Sequence, residues 1–325
     1  MGHKQVKFSI IVLVYNTGNP IRRCLESLIN LEYHDYEIII INDGSTDLIS
    51  INICEMFARK YSFIRLFNKE NGGCLDSRRY GILKANGEYF TFCDSDDYVN
   101  EIFYKYLHEA TENPADLYIL NNYINYPGTD KFYKEKKNLN TGYVESTWLY
   151  NEILQVKMDA VWDKIFKREL LLDAAEILTE NINYGDDTYI NIKYLSKVKR
   201  AYVYDVAAYY HIRDSITSVC ATNIPITRLH EIDIVFNAGI DFYKEHVCSS
   251  QLIEAYKDVQ YGCYMRTIVK LLHEEIKRNE ILKKTKADMI TNNIHILTAS
   301  SLKGLIYRIL LKYRLYKLAK FLCNK

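Results

Sequence analysis

Short apolar runs alternate with amphipathic segments along roughly the first 125 residues of the chain. The apolar runs are rich in Ile, Val and Phe and have the length of buried strands; they are residues 8–14, 37–41, 63–67, 89–93 and 116–120. The segments between them repeat apolar residues at helical spacing; they are residues 20–29, 46–60 and 75–85. Asn19 followed by Pro20 predicts an N-cap for the first of these helices. This alternation predicts an α/β fold with a doubly wound, mostly parallel sheet that binds ligands beyond the carboxyl ends of its strands.

The regular alternation weakens after residue 125. The pattern predicts a loop or insertion at 131–140, helices at 147–158 and 166–178, and a late strand at 200–210. Beyond Pro225 only helical patterning is present. We therefore expect an α/β domain over residues 1–220 and a separate all-helical C-terminal domain over residues 221–325.

Composition places the chain among ordinary globular proteins, with 48% hydrophobic and 26% charged residues. The 42 basic and 41 acidic residues give a net charge of +1, which argues against nucleic acid as a partner. The eight cysteines form no C-x-x-C pair, as is typical of reduced core residues. There is no secretory signal and no apolar run of about 18 residues, so we predict a cytoplasmic protein.

The last 25 residues, 301–325, combine seven basic residues with many Leu, Ile and Tyr and contain no acidic residue. A basic, apolar helix suits an anionic membrane surface, which predicts peripheral attachment to the inner face of the plasma membrane. The charges do not gather on one side of a helical wheel, however. A packed helix, or one that forms a homo-oligomer, therefore stays open as the alternative.

The strongest chemical signal is the acidic turn Asp94-Ser95-Asp96-Asp97 at the end of a predicted strand. Clustered carboxylates repel one another when partly buried, so a cation is expected to compensate them. Carboxylates are hard oxygen ligands that favour Mg²⁺ or Mn²⁺, and carboxylates commonly hold these ions together with a substrate diphosphate. The alternative interpretation is a helix N-cap in a solvated turn.

Two further turns follow predicted strands and should meet the acidic turn at the same edge of the sheet. In the turn at residues 42–47, Gly44 permits close backbone approach, while Asp43 and Asp47 offer acceptors. The alternative there is a β-turn with a capped helix. The turn at 71–73 opens a helix that carries Arg78, which adds a fixed cation and free backbone N–H groups.

These motifs, in this order, make the chain resemble a family 2 glycosyltransferase of the kind used in bacterial capsule and surface polysaccharide assembly. The matching segments are 8–16, 42–47, 71–73 with Arg78, 85–89, 94–97, 162–168, 185–187 and 210–217. The resemblance covers roughly residues 8–220 and implies the GT-A fold, a Rossmann-like α/β fold.

The resemblance implies a UDP-sugar donor, whose uracil Asp43 would read with help from Arg78 and from backbone near Val14 and Tyr15. Asp94 would hold the ribose side, and Asp96 would hold Mn²⁺ or Mg²⁺ on the diphosphate, with Asp94 and His211 as further metal contacts. A structural role for His211 is the alternative. The donor-binding residues that the resemblance implies are Val14, Tyr15, Asn16, Asp43, Asn71, Gly72, Arg78, Asp94, Ser95, Lys164, Arg213 and Ser215.

Asp187 matches the position of the general base that deprotonates the acceptor hydroxyl in the family. The chain has Asp186-Asp187 where Glu-Asp is usual, so Asp186 stays open as the base. The alternative for this pair is a cap of a helix that begins near Thr188.

The resemblance predicts a metal-dependent, inverting transferase that moves one sugar (Gal, Glc or an N-acetyl form) from a UDP-sugar to a saccharide hydroxyl. The acceptor would be a lipid-linked oligosaccharide or a cell-surface polymer precursor. Neither Trp148 nor Trp162 lies in a Gln-x-x-Arg-Trp segment, which argues against a processive synthase. A catalytically inactive partner subunit and a sugar nucleotidyltransferase are the alternatives, while the absence of G-x-G-x-x-G after the first strand argues against a dinucleotide-dependent oxidoreductase.

Overall fold

A computed structural model describes most of the first 273 residues of the chain. The described residues are 6–30, 32–126, 128–135, 140–154, 159–175, 178–213, 225 and 227–273. Ser215 and the basic segment 301–325 lie outside the described residues, so the predictions about them stay predictions.

Strands and helices alternate as the sequence predicts. The strands are β1 (Phe8–Val14), β2 (Tyr36–Asp43), β3 (Ile64–Lys69), β4 (Tyr89–Asp94), β5 (Tyr98–Val99), β6 (Leu117–Asn125), β7 (Phe132–Lys134), β8 (Gly142–Glu145), β9 (Lys164–Lys167) and β10 (Arg200–His211). The helices are α1 (Pro20–Leu28), α2 (Leu48–Lys60), α3 (Cys74–Lys84), α4 (Phe103–Thr111), α5 (Ser146–Leu154), α6 (Arg168–Ala175), α7 (Asp186–Leu195), α8 (Arg228–His246) and α9 (Ser250–His273).

The described strands form one ten-stranded sheet in the order β3-β2-β1-β4-β9-β6-β10-β5, with β7 beside β6 and β8 beside β10. β1 pairs in parallel with β2 and β4, β2 with β3, and β6 with β10. The short strands β5, β7, β8 and β9 pair antiparallel with their neighbours. The six long strands therefore share one direction, as predicted, and the short strands make the sheet mixed.

Three local predictions were wrong. The segment 131–140, predicted as a loop or insertion, is not a loop throughout, because it contains β7, which pairs with β6. The helix predicted from residue 166 begins at Arg168, because Phe166 is fully buried in β9 between β4 and β6. Asn19 has helical dihedrals and makes no side-chain cap hydrogen bond, so Pro20 begins α1 without the predicted cap.

Both faces of the sheet are covered, as a doubly wound fold requires. Alternate residues of β1 point to opposite faces, with Ile11 in one hydrophobic cluster and Ile10 and Val12 in the other. The cluster around Ile11 also contains residues of α8, among them Leu229 and Val235. The first C-terminal helix thus packs directly on the α/β domain, and the domain boundary at residue 220 stays a prediction.

Close packing of α3 on the sheet fixes the position of the helix that carries Arg78. A Cβ atom at Gly81 would lie 2.5 Å from Cγ2 of Ile11 and 3.4 Å from Cγ1 of Ile41. Only glycine lets α3 approach β1 and β2 this closely. Nowhere in the described part of the chain is a helix both long enough and apolar enough to cross a bilayer.

Candidate active site

Arg78 lies at the centre of the carboxyl edge of the sheet and contacts three carboxylates. Its Nε lies 2.9 Å from Oδ2 of Asp186, and its Nη2 lies 2.8 Å from Oδ1 of Asp187 and 3.4 Å from Oδ1 of Asp94. The guanidinium also packs on the ring of Phe92, with Cζ 5.0 Å from the ring centroid. The side chain of Arg78 thus links α3 to the end of β4 and to the start of α7.

The charges around Arg78 change the proton affinity of the groups that it contacts. Burial alone would lower the pKa of Arg78, but the charges of Asp187, Asp186 and Asp94 outweigh burial and raise that pKa well above its usual range. Burial also raises the pKa of Asp187 well above its usual range, against the opposing charge of Arg78. Asp187 is therefore a better proton acceptor than an ordinary aspartate.

One nitrogen of the Arg78 guanidinium, Nη1, is available to bind a ligand. Nη1 is buried and has no hydrogen-bond partner among the described residues. Buried donors normally have a partner, and a guanidinium suits a phosphate or a carboxylate. The Nη1 donor therefore favours an anionic ligand at this edge.

Asp186 and Asp187 are the first two residues of α7. Gly185 precedes them with φ of 79°, a left-handed conformation that favours glycine, and it takes the N-cap position without a side-chain hydrogen bond. The pair therefore stands inside the first turn of α7, so the alternative interpretation, a cap of a helix that begins near Thr188, is wrong. The positive end of the helix dipole favours ionised carboxylates there.

The acidic turn after β4 is tied to the end of β10 by Asp97. Its Oδ2 accepts hydrogen bonds from the hydroxyl of Tyr209 at 2.6 Å, and its Oδ1 accepts from the backbone N–H of Ile212 at 2.7 Å. Nδ1 of His211 lies 3.2 Å from Oδ2 of Asp97. Asp97 is buried and holds these groups in place, so it does not face a ligand.

Asp96, by contrast, carries a charge that its surroundings do not compensate. Burial, followed by the charges of Asp97 and Asp94, raises the pKa of Asp96 to about 7. A divalent cation would remove this penalty, and the carboxylates of Asp94 and Asp96 are suitable hard ligands. Within the described residues, no group of three or more His, Cys, Asp or Glu could hold a metal by itself. Asp94 and Asp96 fit such a cation as part of its ligand set.

His211 has the environment of a histidine that is held in one orientation. Burial lowers its pKa, but the hydrogen bond and charge of Asp97 outweigh burial and raise the pKa. Because Nδ1 faces Asp97, only Nε2 is left for a metal, which is the arrangement common around metal-bound histidines. The predicted metal contact of His211 stays a prediction.

Asp43 organises the glycine turn of residues 71–73. Its Oδ1 accepts hydrogen bonds from Nζ of Lys69 at 2.5 Å and from the N–H of Gly72 at 2.9 Å, and its Oδ2 accepts from the N–H of Gly73 at 3.0 Å. Asn71, the first residue of this turn, is exposed. The structure thus gives Asp43 a clear role in loop geometry, and its contact with uracil stays a prediction.

Asn16 joins the turn after β1 to the turn after β2. Its Oδ1 accepts hydrogen bonds from the N–H groups of Thr46 at 2.7 Å and Asp47 at 3.1 Å. Asp47 in turn caps α2 by accepting from the N–H of Ser50, as the alternative interpretation of this turn proposed. Tyr15, beside Asn16, is 51% exposed and available to stack on a ligand.

The other predicted donor-binding residues differ in their positions. Ser95 is buried and shares a hydrogen bond of 2.7 Å with Thr17, and Val14 is buried in β1. Arg213 is exposed at the end of β10. Lys164 is fully buried with Nζ 2.7 Å from Asp163 Oδ1, so the structure does not place it on the surface of the cleft, contrary to the prediction.

Sequence reasoning gave no role in the site to three residues that support it. Asn183 caps α3, because its Oδ1 accepts a hydrogen bond of 3.1 Å from the N–H of Cys74. Tyr209 accepts from the N–H of Asp94 at 3.0 Å, and Trp162 stacks on Tyr209 with ring centroids 4.7 Å apart. Asn183 and Tyr209 each contact residues more than 100 positions away, so no local pattern reveals them.

Comparison with known proteins defines the class of protein. Residues 9–171, half of the chain, match the sequence profile of glycosyl transferase family 2. The chain is 30% identical over 255 residues to EpsJ, an uncharacterized glycosyltransferase of Bacillus subtilis, covering 73% of this chain and 70% of EpsJ. The chain belongs to glycosyltransferase family 2.

Other relatives differ in length or are more distant. The chain is 33% identical over 218 residues to the glycosyltransferase GlyA of Streptococcus pneumoniae, covering 64% of this chain and 31% of GlyA. It thus spans about a third of the length of GlyA. The crystal structure of S. aureus TarS 1-349 in complex with UDP-GlcNAc superposes with a TM-score of 0.63 at 20% identity, covering 97% of this chain and 88% of that one. This likeness shows that the fold is shared.

Replacing Arg78 should destabilise the protein in a pH-dependent way. Arg78→Met leaves three buried or half-buried carboxylates without their cation, which costs about 3–5 kcal/mol for a buried pair of this kind. Burial already raises the pKa of Asp187, and without the opposing charge of Arg78 it rises further in the folded state, so the loss should grow as the pH rises above the pKa that Asp187 has in the wild-type protein. Urea unfolding at several pH values measures it.

The matched control for this variant is Arg79→Met on the same helix. Arg79 is 37% exposed and pairs with Asp76 at 3.6 Å, so its loss should cost less than about 1 kcal/mol. Equal losses for the two variants, or a loss for Arg78→Met that does not change with pH, would contradict the central role of Arg78.

Proposed function

We propose that the chain transfers one sugar from a UDP-sugar to a hydroxyl of a saccharide acceptor, with inversion at the anomeric carbon and with the help of a divalent cation. The observation that carries the proposal is the contact of Arg78 with Asp94 and Asp187, because it sets a basic carboxylate beside the acidic turn. A proton acceptor and a diphosphate site in one cleft are what sugar transfer requires.

The acidic turn supplies the donor side of the proposed site. Asp96, with Asp94 and His211, would hold Mn²⁺ or Mg²⁺ against the donor diphosphate. The cation would stabilise the negative charge that grows on the departing diphosphate. The unpaired Nη1 of Arg78 is a further donor that suits a phosphate oxygen. Asp43 and the exposed ring of Tyr15 would contact the uracil.

Asp187 supplies the acceptor side. As the bond from the anomeric carbon to the diphosphate oxygen breaks, the acceptor oxygen attacks the opposite face of the sugar, and Asp187 takes the hydroxyl proton. One observation favours Asp187 over Asp186 as the base: its side chain is 23% exposed against 12%, so an acceptor hydroxyl can reach it more readily. Asp186 would then hold Arg78 in position through Nε.

The acceptor class rests on the family and not on the described residues. Resemblance to bacterial enzymes of surface polysaccharide assembly supports a lipid-linked oligosaccharide or a cell-surface polymer precursor. Attachment of the segment 301–325 to the inner face of the plasma membrane would bring the enzyme to such an acceptor. UDP-GlcNAc, the ligand of the TarS structure, belongs among the first donors to test, together with UDP-Glc, UDP-Gal and UDP-GalNAc.

Nucleotide binding should depend on the cation and on Asp96. Because a ligand that binds only the folded state stabilises it, UDP with Mn²⁺ should raise the melting temperature by several degrees, whereas GDP and TDP should not. Asp96→Ala should abolish the shift. Differential scanning fluorimetry with and without EDTA measures it.

The control for this experiment is Asp241→Ala, an exposed carboxylate on α8 that should leave the shift unchanged. No shift with any nucleotide would contradict the proposed donor. An undiminished shift with EDTA or in Asp96→Ala would contradict the proposed metal.

Asp187→Asn should remove the base while keeping the donor site. We expect the transfer rate to fall by at least about 100-fold, as for loss of a general base, while the shift with UDP and Mn²⁺ persists. Asp186→Asn is the matched comparison and should cost less, because it alters a contact of Arg78 and not the proton acceptor. Transfer is measured by UDP release with saccharide acceptors, and product NMR reports the anomer.

Near-normal transfer by Asp187→Asn would show that another group takes the proton. A product that retains the anomeric configuration of the donor would contradict inversion.

A further inference from the structure

Three side chains on one face of α8 contact three consecutive residues just before the acidic pair. Oε2 of Glu231 accepts a hydrogen bond of 3.1 Å from the N–H of Asn183. The guanidinium of Arg228 lies over the ring of Tyr184, with Cζ 4.8 Å from the centroid. A Cβ atom at Gly185 would lie 3.2 Å from Cγ2 of Val235.

The three residues of α8 are spaced so that they form one continuous contact surface against residues 183–185. Arg228, Glu231 and Val235 stand three and four residues apart, so they share one face of α8. All three are buried, with exposures of 6%, 7% and 3%. The carboxylate of Glu231 is thus held inside the protein, where it bonds the backbone of the segment before α7.

The same short segment is held from the opposite side by α3. Asn183 caps α3 at Cys74, and a Cβ atom at Gly73 would lie only 2.0 Å from Oδ1 of Asn183. Asp187, in the first turn of α7, contacts Arg78, which also lies on α3. Residues 183–187 are therefore clamped between α3, which belongs to the α/β domain, and α8, which follows it in the chain.

From this arrangement we propose that Glu231 is a positioning residue for the transfer reaction and that α8 holds the segment 183–187 in its active geometry. The proposal rests on the proposed role of Asp187 as the base. It means that the C-terminal helical region, which sequence patterning separates from the α/β domain, completes the active site. Misplacing a proton acceptor by about 1 Å is enough to slow a reaction greatly.

The test compares Glu231→Leu, which removes the acceptor for the N–H of Asn183, with Glu231→Gln, which keeps a carbonyl oxygen there. Hydrogen exchange of the full-length protein should become at least about 10-fold faster at residues 183–187 in Glu231→Leu and stay near wild type in Glu231→Gln. The kcat for transfer should fall at least about 10-fold in Glu231→Leu, with the donor KM unchanged within about twofold and recovery in Glu231→Gln.

Matched controls are Glu245→Leu and Glu245→Gln, which make the same changes at an exposed position of α8. Val235→Ala loosens the contact with Gly185 and keeps Glu231, so it should give a smaller increase in exchange at residues 183–187 and a smaller loss of kcat. It replaces Glu231→Leu in the test if that variant does not fold.

Two results would overturn the proposal: unchanged exchange at residues 183–187 in both Glu231→Leu and Val235→Ala, or equal losses of kcat in the Leu and Gln variants of Glu231. Failure of the proposed function looks different. In that case the wild-type protein transfers no sugar, or Asp187→Asn retains transfer, while exchange at 183–187 still reports the contact with α8.

Discussion

The structure depends on a buried guanidinium that has three carboxylate partners. Arg78 is stable in its position only if Asp94, Asp186 and Asp187 are present, and these carboxylates are stable near one another only if Arg78 is present. Because of this mutual dependence, the end of β4, the middle of α3 and the start of α7 must lie close together. Close packing at Gly81 and the left-handed residue Gly185 meet this requirement.

Two kinds of local charge follow from this arrangement. Burial raises the pKa of Asp187 despite its positive partner Arg78, so Asp187 is suited to accept a proton. Burial and the negative charges of Asp97 and Asp94 raise the pKa of Asp96, so Asp96 is suited to bind a cation. Because these groups lie at one edge of the sheet, the proposed proton acceptor and the proposed diphosphate site would share a cleft, which is the arrangement that transfer from a nucleotide sugar requires.

The features that sequence predicts well are those that local pattern determines. The apolar run of β1, the acidic turn at Asp94 and the glycine turn at Gly72 each lie within a few residues, so periodicity and residue type reveal them. The features that it misses depend on distant contacts. Phe166 becomes part of a strand only because β4 and β6 flank it, and Lys164 is buried with Asp163 although a motif suggested a place in the cleft. The cap of α3 by Asn183 likewise appears only in three dimensions.

The central claim is that burial raises the pKa of Asp187 against the opposing charge of Arg78 and so suits Asp187 to accept a proton. Carboxyl-carbon NMR with ¹³C-labelled aspartate, assigned by comparison with Asp187→Asn, measures the pKa of Asp187 directly. The account predicts a pKa well above the value of about 3.9 for an unperturbed aspartate, and a further rise in Arg78→Lys, because a lysine cannot contact all three carboxylates at once. A pKa at or below 3.9 in the wild-type protein would contradict it.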